Sequence, residues 1–427
     1  MFHHASACLT TLGPGPHPRT GMSWPAFAAK ESCRFWTLPC LSTARTAFCS
    51  SAACARAHAW PTRIGRGSFC PMANFYLQRL ETRIVKGIIR RGRQKRPPFS
   101  VNVEPTNVCN LACPICPHGA SKAGLIPPLN RKKGMMSLET FAKVLEGTKS
   151  HIREMALYLH GEPFLNPNLA QMVRAASEQK IKVVLYTNGL ILTEEKLCEI
   201  FSAEPSVLSA SMDLVSRRCF EKYKAPGLYD QAVEKLNLII SVYNQEKARN
   251  NKLKTRLALR SIYNGETKEE TMAFLDYWFR HDALKSIHLT TPFPWPRRKD
   301  ADFLTRHMTE DRRAICRQLF NALNILWDGS VTPCSFDYDG EYIIGDIHRA
   351  PLDKILNSPE ARRFRRLHLL GRRNKIPLCR DCMLPRYAFV EIAMHRGRFL
   401  KLKPEERDDL FRRISLLCYH PVQDFGA

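Results

Sequence analysis

The chain has 427 residues, 44% of them hydrophobic and 25% charged, with 16 Cys and a formal net charge of +25. That length suits two domains or more, and the composition excludes a disordered tail, a collagen-like repeat and a small disulfide-stapled module. No uninterrupted apolar run approaches the roughly 18 residues that a membrane-spanning helix needs.

Residues 1–71 carry seven basic groups, one acid (Glu31) and six Cys (Cys8, Cys33, Cys40, Cys49, Cys54, Cys70), without sustained periodicity. Such a leader reads as an organelle-targeting segment, as a Cys-rich module, or as sequence upstream of a true start at Met72. The ordered pattern that begins just after Met72 favours the last. Residues 72–98 form a basic amphipathic stretch with Leu77, Leu80, Ile84 and Ile88 at helical spacing, ended by Pro97-Pro98. Its apolar stripe is expected to pack on the domain behind it; a membrane-surface or partner-binding helix is the alternative.

Strand-like runs follow at Phe99–Val103, Glu154–His160, Ile181–Thr187, Val207–Asp213, Leu257–Ile262 and Ser286–Thr290. Helical patterns lie between them. One opens at Ser137 with Phe141, Val144 and Leu145 on one face, another at Thr193 with two acids in its first turn. Apolar strands alternating with helices predict a parallel sheet with right-handed crossovers. The expected fold is α/β: a partial (β/α)6 TIM-like barrel over 99–305, with its active end at the C-terminal edge of the strands. A small α+β hairpin-plus-helix domain over 306–390 and a helical tail over 391–427 complete the expected layout.

Just after the first strand the sequence reads Glu104-Pro105-Thr106-Asn107-Val108-Cys109-Asn110-Leu111-Ala112-Cys113-Pro114-Ile115-Cys116, placing three Cys in a C-x3-C-x2-C loop. Three thiolates this close repel one another unless a soft metal centre neutralises them. An iron–sulfur cube takes four Cys, so three leave one iron open, the mark of a catalytic site. This loop resembles the signature of the radical S-adenosylmethionine enzymes. The resemblance implies that S-adenosylmethionine chelates the open iron of a 4Fe-4S cluster and is split to a 5′-deoxyadenosyl radical, which takes a hydrogen atom from the substrate. Ile115 departs from the family pattern, which has an aromatic residue there.

Leu159-His160-Gly161-Glu162-Pro163 after the second strand resembles the family's Gly-Gly-Glu-Pro element, with His160 in place of the first Gly. Gly161, Glu162 and Pro163 are thereby assigned to the cofactor's amino group. Asn188 at the end of the third strand and Ser211 and Asp213 at the end of the fourth are assigned to its ribose and adenine, and Arg260 on the fifth to its carboxylate. A plain turn at Asn188-Gly189 and ordinary barrel salt bridges at Asp213 and Arg260 are the alternatives.

Four further Cys follow as Cys316, Cys334, Cys379 and Cys382, with a hairpin signal at Asp328-Gly329 and a helix expected from Pro351 to Leu370. Spacing alone suits zinc or an iron–sulfur cube. The C-x12-G-x4-C element resembles the SPASM/twitch extension of radical S-adenosylmethionine enzymes, which implies one auxiliary 4Fe-4S cluster on these four Cys. Ala388 and Ile392 stand where a second auxiliary cluster would have ligands. Cys198, Cys219 and Cys418 read as structural thiols, with a degenerate second auxiliary site the alternative for Cys418.

The resemblance implies an oxidoreductase acting most readily on a small hydroxylated or sugar-like substrate, with the auxiliary cluster in electron transfer. A peptide-modifying maturase and a non-catalytic iron–sulfur or metal-binding protein are the alternatives. Expected partners are S-adenosylmethionine and a one-electron donor such as flavodoxin or ferredoxin. Arg362–Lys375 holds seven Lys/Arg and Arg131-Lys132-Lys133 is a second basic run, each a solvated face or an anion-steering patch. No RNA-binding fingerprint accompanies the charge, so nucleic acid is not an expected partner. The Cys usage points to metal chemistry in a reducing cytoplasm, or in an organelle if the leader is genuine.

Overall fold

In a computed structural model of the protein, the described residues are 100–148, 152–290, 315–316, 318–380, 382 and 391–419. The leader 1–71, the amphipathic stretch 72–98 and residue Ala388 lie outside them. Six parallel strands form the centre of one sheet: β1 (Ser100–Val103), β2 (Glu154–Leu157), β3 (Lys182–Thr187), β4 (Val207–Ser211), β5 (Arg256–Ile262) and β6 (Leu284–Thr290). Each pairs with the next in sequence, in registers such as Val103↔Leu157 and Arg260↔His288.

Between the strands run α1 (Pro117–Lys122), α2 (Leu138–Thr148), α3 (Leu169–Glu178), α4 (Glu194–Ser202), α5 (Arg217–Tyr223), α6 (Tyr229–Arg249) and α7 (Lys268–Phe279). Their starts are written in local chemistry. Ser137 accepts the Thr140 N–H at 3.1 Å ahead of α2, and Thr193 accepts the Lys196 N–H at 3.4 Å ahead of α4. Thr267 and Glu270 form a reciprocal capping box on α7.

Period-two alternation sorts the strand residues into two rows. Val101, Val103, Met155, Leu157, Val183, Leu185, Leu257, Leu259, Ile287 and Leu289 are buried in one core with the inward stripes of α2, α3, α4, α6 and α7. The other row carries Asn102, Tyr186, Ser209, Arg260 and His288 and faces the inside of the curved sheet. This is the partial barrel expected from sequence, with a polar inner face.

The sheet is larger than six strands. β7 (Ala322–Ile325) pairs parallel with β1, and β8 (Ser330–Thr332) and β9 (Gly345–Asp346) follow antiparallel, giving the order β10-β6-β5-β4-β3-β2-β1-β7-β8-β9. The hairpin predicted at Asp328-Gly329 is therefore an extension of the barrel sheet. Gly329 turns it with φ +88°, and a Cβ there would meet the His348 ring at 2.6 Å.

Two expectations are corrected. The helix expected from Pro351 to Leu370 is two helices, α8 (Leu352–Leu356) and α9 (Pro359–Leu369). Pro359 has no N–H with which to continue α8, and Ser358 caps the new start by accepting the Ala361 N–H at 3.2 Å. The tail expected to be helical opens with a strand, β10 (Glu391–His395), antiparallel to β6 with Glu391↔Thr290 and Ala393↔His288; α10 (Pro404–Tyr419) comes later. Among the described residues no helix is long and apolar enough to cross a membrane.

Candidate active site and iron–sulfur centres

The C-terminal ends of β1 to β4 converge on the first Cys loop. The loop is folded by its own backbone: Cys116 donates to the Cys113 carbonyl at 2.9 Å, and Ala120 to the Cys116 carbonyl at 2.8 Å as α1 begins. Gly119 lies against this turn so closely that a Cβ would stand 2.2 Å from the Cys113 carbonyl oxygen. The chain after β2 zips onto the same loop. Glu162 donates its N–H to the Val108 carbonyl at 2.9 Å, a Cβ on Gly161 would stand 2.2 Å from the Thr106 oxygen, and the His118 ring meets the His160 carbonyl.

Glu162 is buried, and its carboxylate accepts the Thr187 hydroxyl at 2.8 Å, the Asn188 N–H at 2.7 Å and the Phe164 N–H at 3.2 Å. Burial pushes its pKa up against these donors. Asn188 reaches the Cys loop itself, with its amide 2.9 Å from Asn110 Oδ1 and 3.9 Å from Cys109 Sγ. Gly161, Glu162, Pro163 and Asn188 are thus gathered around the three Cys.

Ser211 and Asp213 arrive from β4. Asp213 adopts φ +54°, an uncommon conformation for a residue with a side chain. Its carboxylate accepts the Ile262 N–H at 2.7 Å and pairs with Lys224 at 2.9 Å, while the Lys224 ammonium also donates to the Ser211 carbonyl at 2.6 Å. Lys224, buried after α5, was not marked by any sequence motif. Burial opposes its charge, but Asp213 and the thiols of Cys113 and Cys116 outweigh burial and raise its pKa. All three thiols feel this ammonium.

Arg260 makes a salt bridge within the barrel, the alternative left open for it above. It pairs at 2.9 Å with Glu391 of β10 and stacks on the Tyr186 ring with 5.7 Å to the centroid, so a carboxylate of the chain itself already meets its charge. Glu391 belongs to the strand that the sequence did not reveal.

The chemistry of the three-Cys set fits a cationic cluster. Burial raises the Cys109 thiol to about 11 and the Cys116 thiol to about 12, and raises Cys113 as well, with neighbouring thiols adding to the effect at Cys109 and Cys116. Such thiols ionise near neutral pH only when a positive centre replaces water.

The second set lies beyond β8. Cys334, Cys379 and Cys382 are buried with Phe336, Phe364, Ile376 and Leu378 in a small apolar core, and Cys316 is buried as well. Burial raises Cys334 well above the ordinary thiol value, and the charges of Cys316, Cys382 and Cys379 add to it. Arg373 holds the C-x2-C turn by donating to the Cys379 carbonyl at 2.6 Å and the Cys382 carbonyl at 3.0 Å. His368 Nδ1 accepts the Cys316 N–H at 3.3 Å. Among the described residues no three His, Cys, Asp or Glu side chains are drawn together tightly enough to grip a bare ion. Within each set the neighbouring thiols raise one another's pKa. Cys198 on α4 and Cys219 on α5 stand apart from both sets, on helices that pack against the barrel. Ile392 lies in β10, and the side chain of Cys418 in α10 is outside the described residues.

Two family models match the chain: the radical SAM superfamily over residues 103–277 and an iron–sulfur cluster-binding domain, SPASM, over residues 316–383. A curated relative, the S-adenosyl-L-methionine-dependent 2-deoxy-scyllo-inosamine dehydrogenase of Niallia circulans, is 23% identical over 286 residues, covering 66% of this chain and 91% of the relative. The PqqA peptide cyclase of Gluconobacter oxydans is 31% identical over 101 residues, 24% of this chain and 26% of the relative. Among solved structures, Streptococcus suis SuiB bound to the precursor peptide SuiA shares the fold with a TM-score of 0.50 at 13% identity, covering 72% of this chain and 74% of that one. Motif, fold and family match agree: the chain belongs to the radical S-adenosylmethionine enzymes that carry a C-terminal SPASM iron–sulfur domain, and it works with a 4Fe-4S cluster, S-adenosylmethionine and auxiliary iron–sulfur chemistry.

Proposed function

We propose that this enzyme oxidises a small hydroxylated or sugar-like substrate by two electrons, from alcohol to carbonyl, with the Cys316, Cys334, Cys379 and Cys382 centre as the electron acceptor. The observation that carries the reading is the burial of Cys334, Cys379 and Cys382 in one small apolar core, with Cys316 buried as well. A cube held there has a protein sulfur at every corner and no open iron, which leaves electron transfer as its task. That the Niallia circulans relative is a dehydrogenase, matched over 91% of its length, supports the same reading.

When bound at the three-Cys loop, the cluster and S-adenosylmethionine supply the hydrogen-abstracting radical. Cys109, Cys113 and Cys116 hold that cluster and leave its fourth iron to the cofactor. Glu162, immobilised by Thr187 and Asn188, is offered to the cofactor's amino group, and Asn188, Ser211 and Asp213 line the side on which its nucleoside lies. Lys224, held by Asp213 and the Ser211 carbonyl, keeps a positive charge beside the three thiols, and Arg260, paired with Glu391, lies on the inner face. A one-electron donor of the flavodoxin or ferredoxin type starts the cycle.

The test is anaerobic turnover with S-adenosylmethionine, dithionite and a panel of polyols deuterated at their carbinol carbons. Deuterium in the 5′-deoxyadenosine together with a carbonyl product supports the reading. The peptide-modifying alternative is favoured by the fold shared with SuiB bound to a precursor peptide. It predicts label from a peptide side chain and none from any polyol.

A further inference from the structure

The inner face of the sheet carries a hydrogen-bonded row that the cofactor chemistry does not use. Ser286 and His288 are two apart on β6 and share that face. The Ser286 hydroxyl lies 2.9 Å from His288 Nε2, and His288 Nδ1 lies 2.5 Å from Glu391 Oε1. Glu391 Oε2 meets Arg260 at 2.9 Å, Arg260 lies over the Tyr186 ring, and Tyr186 packs edge-on against Tyr158 with 4.9 Å between centroids.

The row is next to the cofactor site: the Arg260 carbonyl accepts the Met212 N–H at 3.1 Å, one residue before Asp213. It is reachable, with 24% of the His288 side chain and 31% of Glu391 exposed. Branched aliphatic side chains ordinarily fill a barrel interior. Charged groups there cost solvation and are kept where they are paired, as Arg260, Glu391 and His288 are here. The hydroxyl of Thr290, on the same row of β6, is buried with no hydrogen-bond partner among the described residues.

The chemistry of the row is specific. A carboxylate only accepts, so Glu391 fixes the Nδ1–H tautomer of His288 and leaves Nε2 as the acceptor for the Ser286 hydroxyl. We propose that Ser286, His288 and Glu391, anchored by Arg260, form the proton-accepting relay for the hydroxyl group of the substrate, which seats against the Tyr158–Tyr186 pair. This rests on the reading of hydroxyl oxidation given above and deepens it.

The step balances. A carbinol CH–OH loses its carbon-bound hydrogen atom to the cofactor-derived radical. Its O–H proton passes to Ser286 Oγ while the serine proton passes to His288 Nε2. The remaining unpaired electron would be taken up by the iron–sulfur centre that Cys316, Cys334, Cys379 and Cys382 would hold, and the C=O double bond would form. Ser286 and His288 move the proton; Glu391 and Arg260 are positioning residues.

The test uses the reconstituted holoenzyme with 2-deoxy-scyllo-inosamine and myo-inositol deuterated at their carbinol carbons. In His288→Ala the ratio of carbonyl product to labelled 5′-deoxyadenosine is expected to fall about 100-fold, the usual scale for losing a general base, and free imidazole should restore it at least in part. Ser286→Ala and Glu391→Gln should lower the same ratio, with iron content and thermal midpoint confirming that each variant folds. In cofactor-free protein, the shared Nδ1 proton should give a far-downfield NMR resonance that disappears in Glu391→Gln. If His288→Ala keeps the wild-type ratio, the relay is wrong and the alcohol reading stands. If wild type takes no label from either polyol, the alcohol reading falls and the relay with it.

Discussion

Asn102 donates its side-chain amide to Asn324 Oδ1 at 2.9 Å, joining β1 to β7 across 222 residues of sequence. β1 leads into the first Cys loop and β7 into the hairpin that ends at Cys334, so this buried pair holds together the strands that present the two metal centres. Asn324→Val should leave the Asn102 amide buried without that partner and cost about 1–3 kcal/mol of unfolding free energy. The double variant Asn102→Val/Asn324→Val should recover part of that loss. Urea unfolding of the four-member cycle measures the coupling.

The Cys loop depends on two glycines with no room for a methyl group. A Cβ at Gly119 would stand 2.2 Å from the Cys113 oxygen and 2.3 Å from the Ala112 oxygen, and one at Gly161 would stand 2.6 Å from the Val108 oxygen. These neighbours are backbone and cannot rotate away. Gly119→Ala and Gly161→Ala should therefore shift the loop, so that iron bound after anaerobic reconstitution falls toward half while the second centre still fills. Full iron content in both variants would show that the loop yields more easily than the close approach suggests.

The two Cys sets should separate chemically. Cys113→Ala removes a ligand of the open cluster and is expected to abolish 5′-deoxyadenosine formation altogether. Cys379→Ala removes a ligand of the four-cysteine centre, so cofactor cleavage should continue while oxidised product drops at least tenfold. Equal cleavage by both variants, read by chromatography of the nucleoside, would overturn the division of labour between the centres.

Much of this arrangement was legible in the sequence because it rests on local rules. The three-Cys loop, Gly161-Glu162-Pro163 and the ends of β1, β3, β5 and β6 follow from spacing and hydrophobic alternation, whereas β2 and β4 stop at Leu157 and Ser211, short of the expected His160 and Asp213. The parts that were not legible depend on distant partners. β10 is five residues long and exists by pairing with β6, about 100 positions earlier, so no local pattern distinguishes it from the tail around it. Glu391 and hence the pairing of Arg260 were hidden with it. Lys224 is one Lys among many until the fold buries it beside Asp213, and the joining of β7 to β1 likewise appears only when the sheet forms.

His160, which replaces a Gly of the family element, gives the fold a measurable pH signature. Burial first, then the positive charges of Arg131 and His118, lower its pKa from 6.5 to about 3. In the unfolded chain the ring takes a proton as pH falls through about 6.5, whereas in the folded protein it stays neutral until about 3. Between those limits the unfolded state binds more protons, so the stability associated with the neutral ring is complete above 6.5 and is lost progressively as pH falls. The slope approaches about 1.4 kcal/mol per pH unit. His160→Gln keeps a polar side chain that does not titrate, so the gap between wild type and variant should move by about 2 kcal/mol against the wild type from pH 7.5 to pH 5.0. Urea denaturation at both pH values measures it. Parallel pH dependences in the two proteins would mean that the folded protein does protonate this ring and that its burial carries no such penalty.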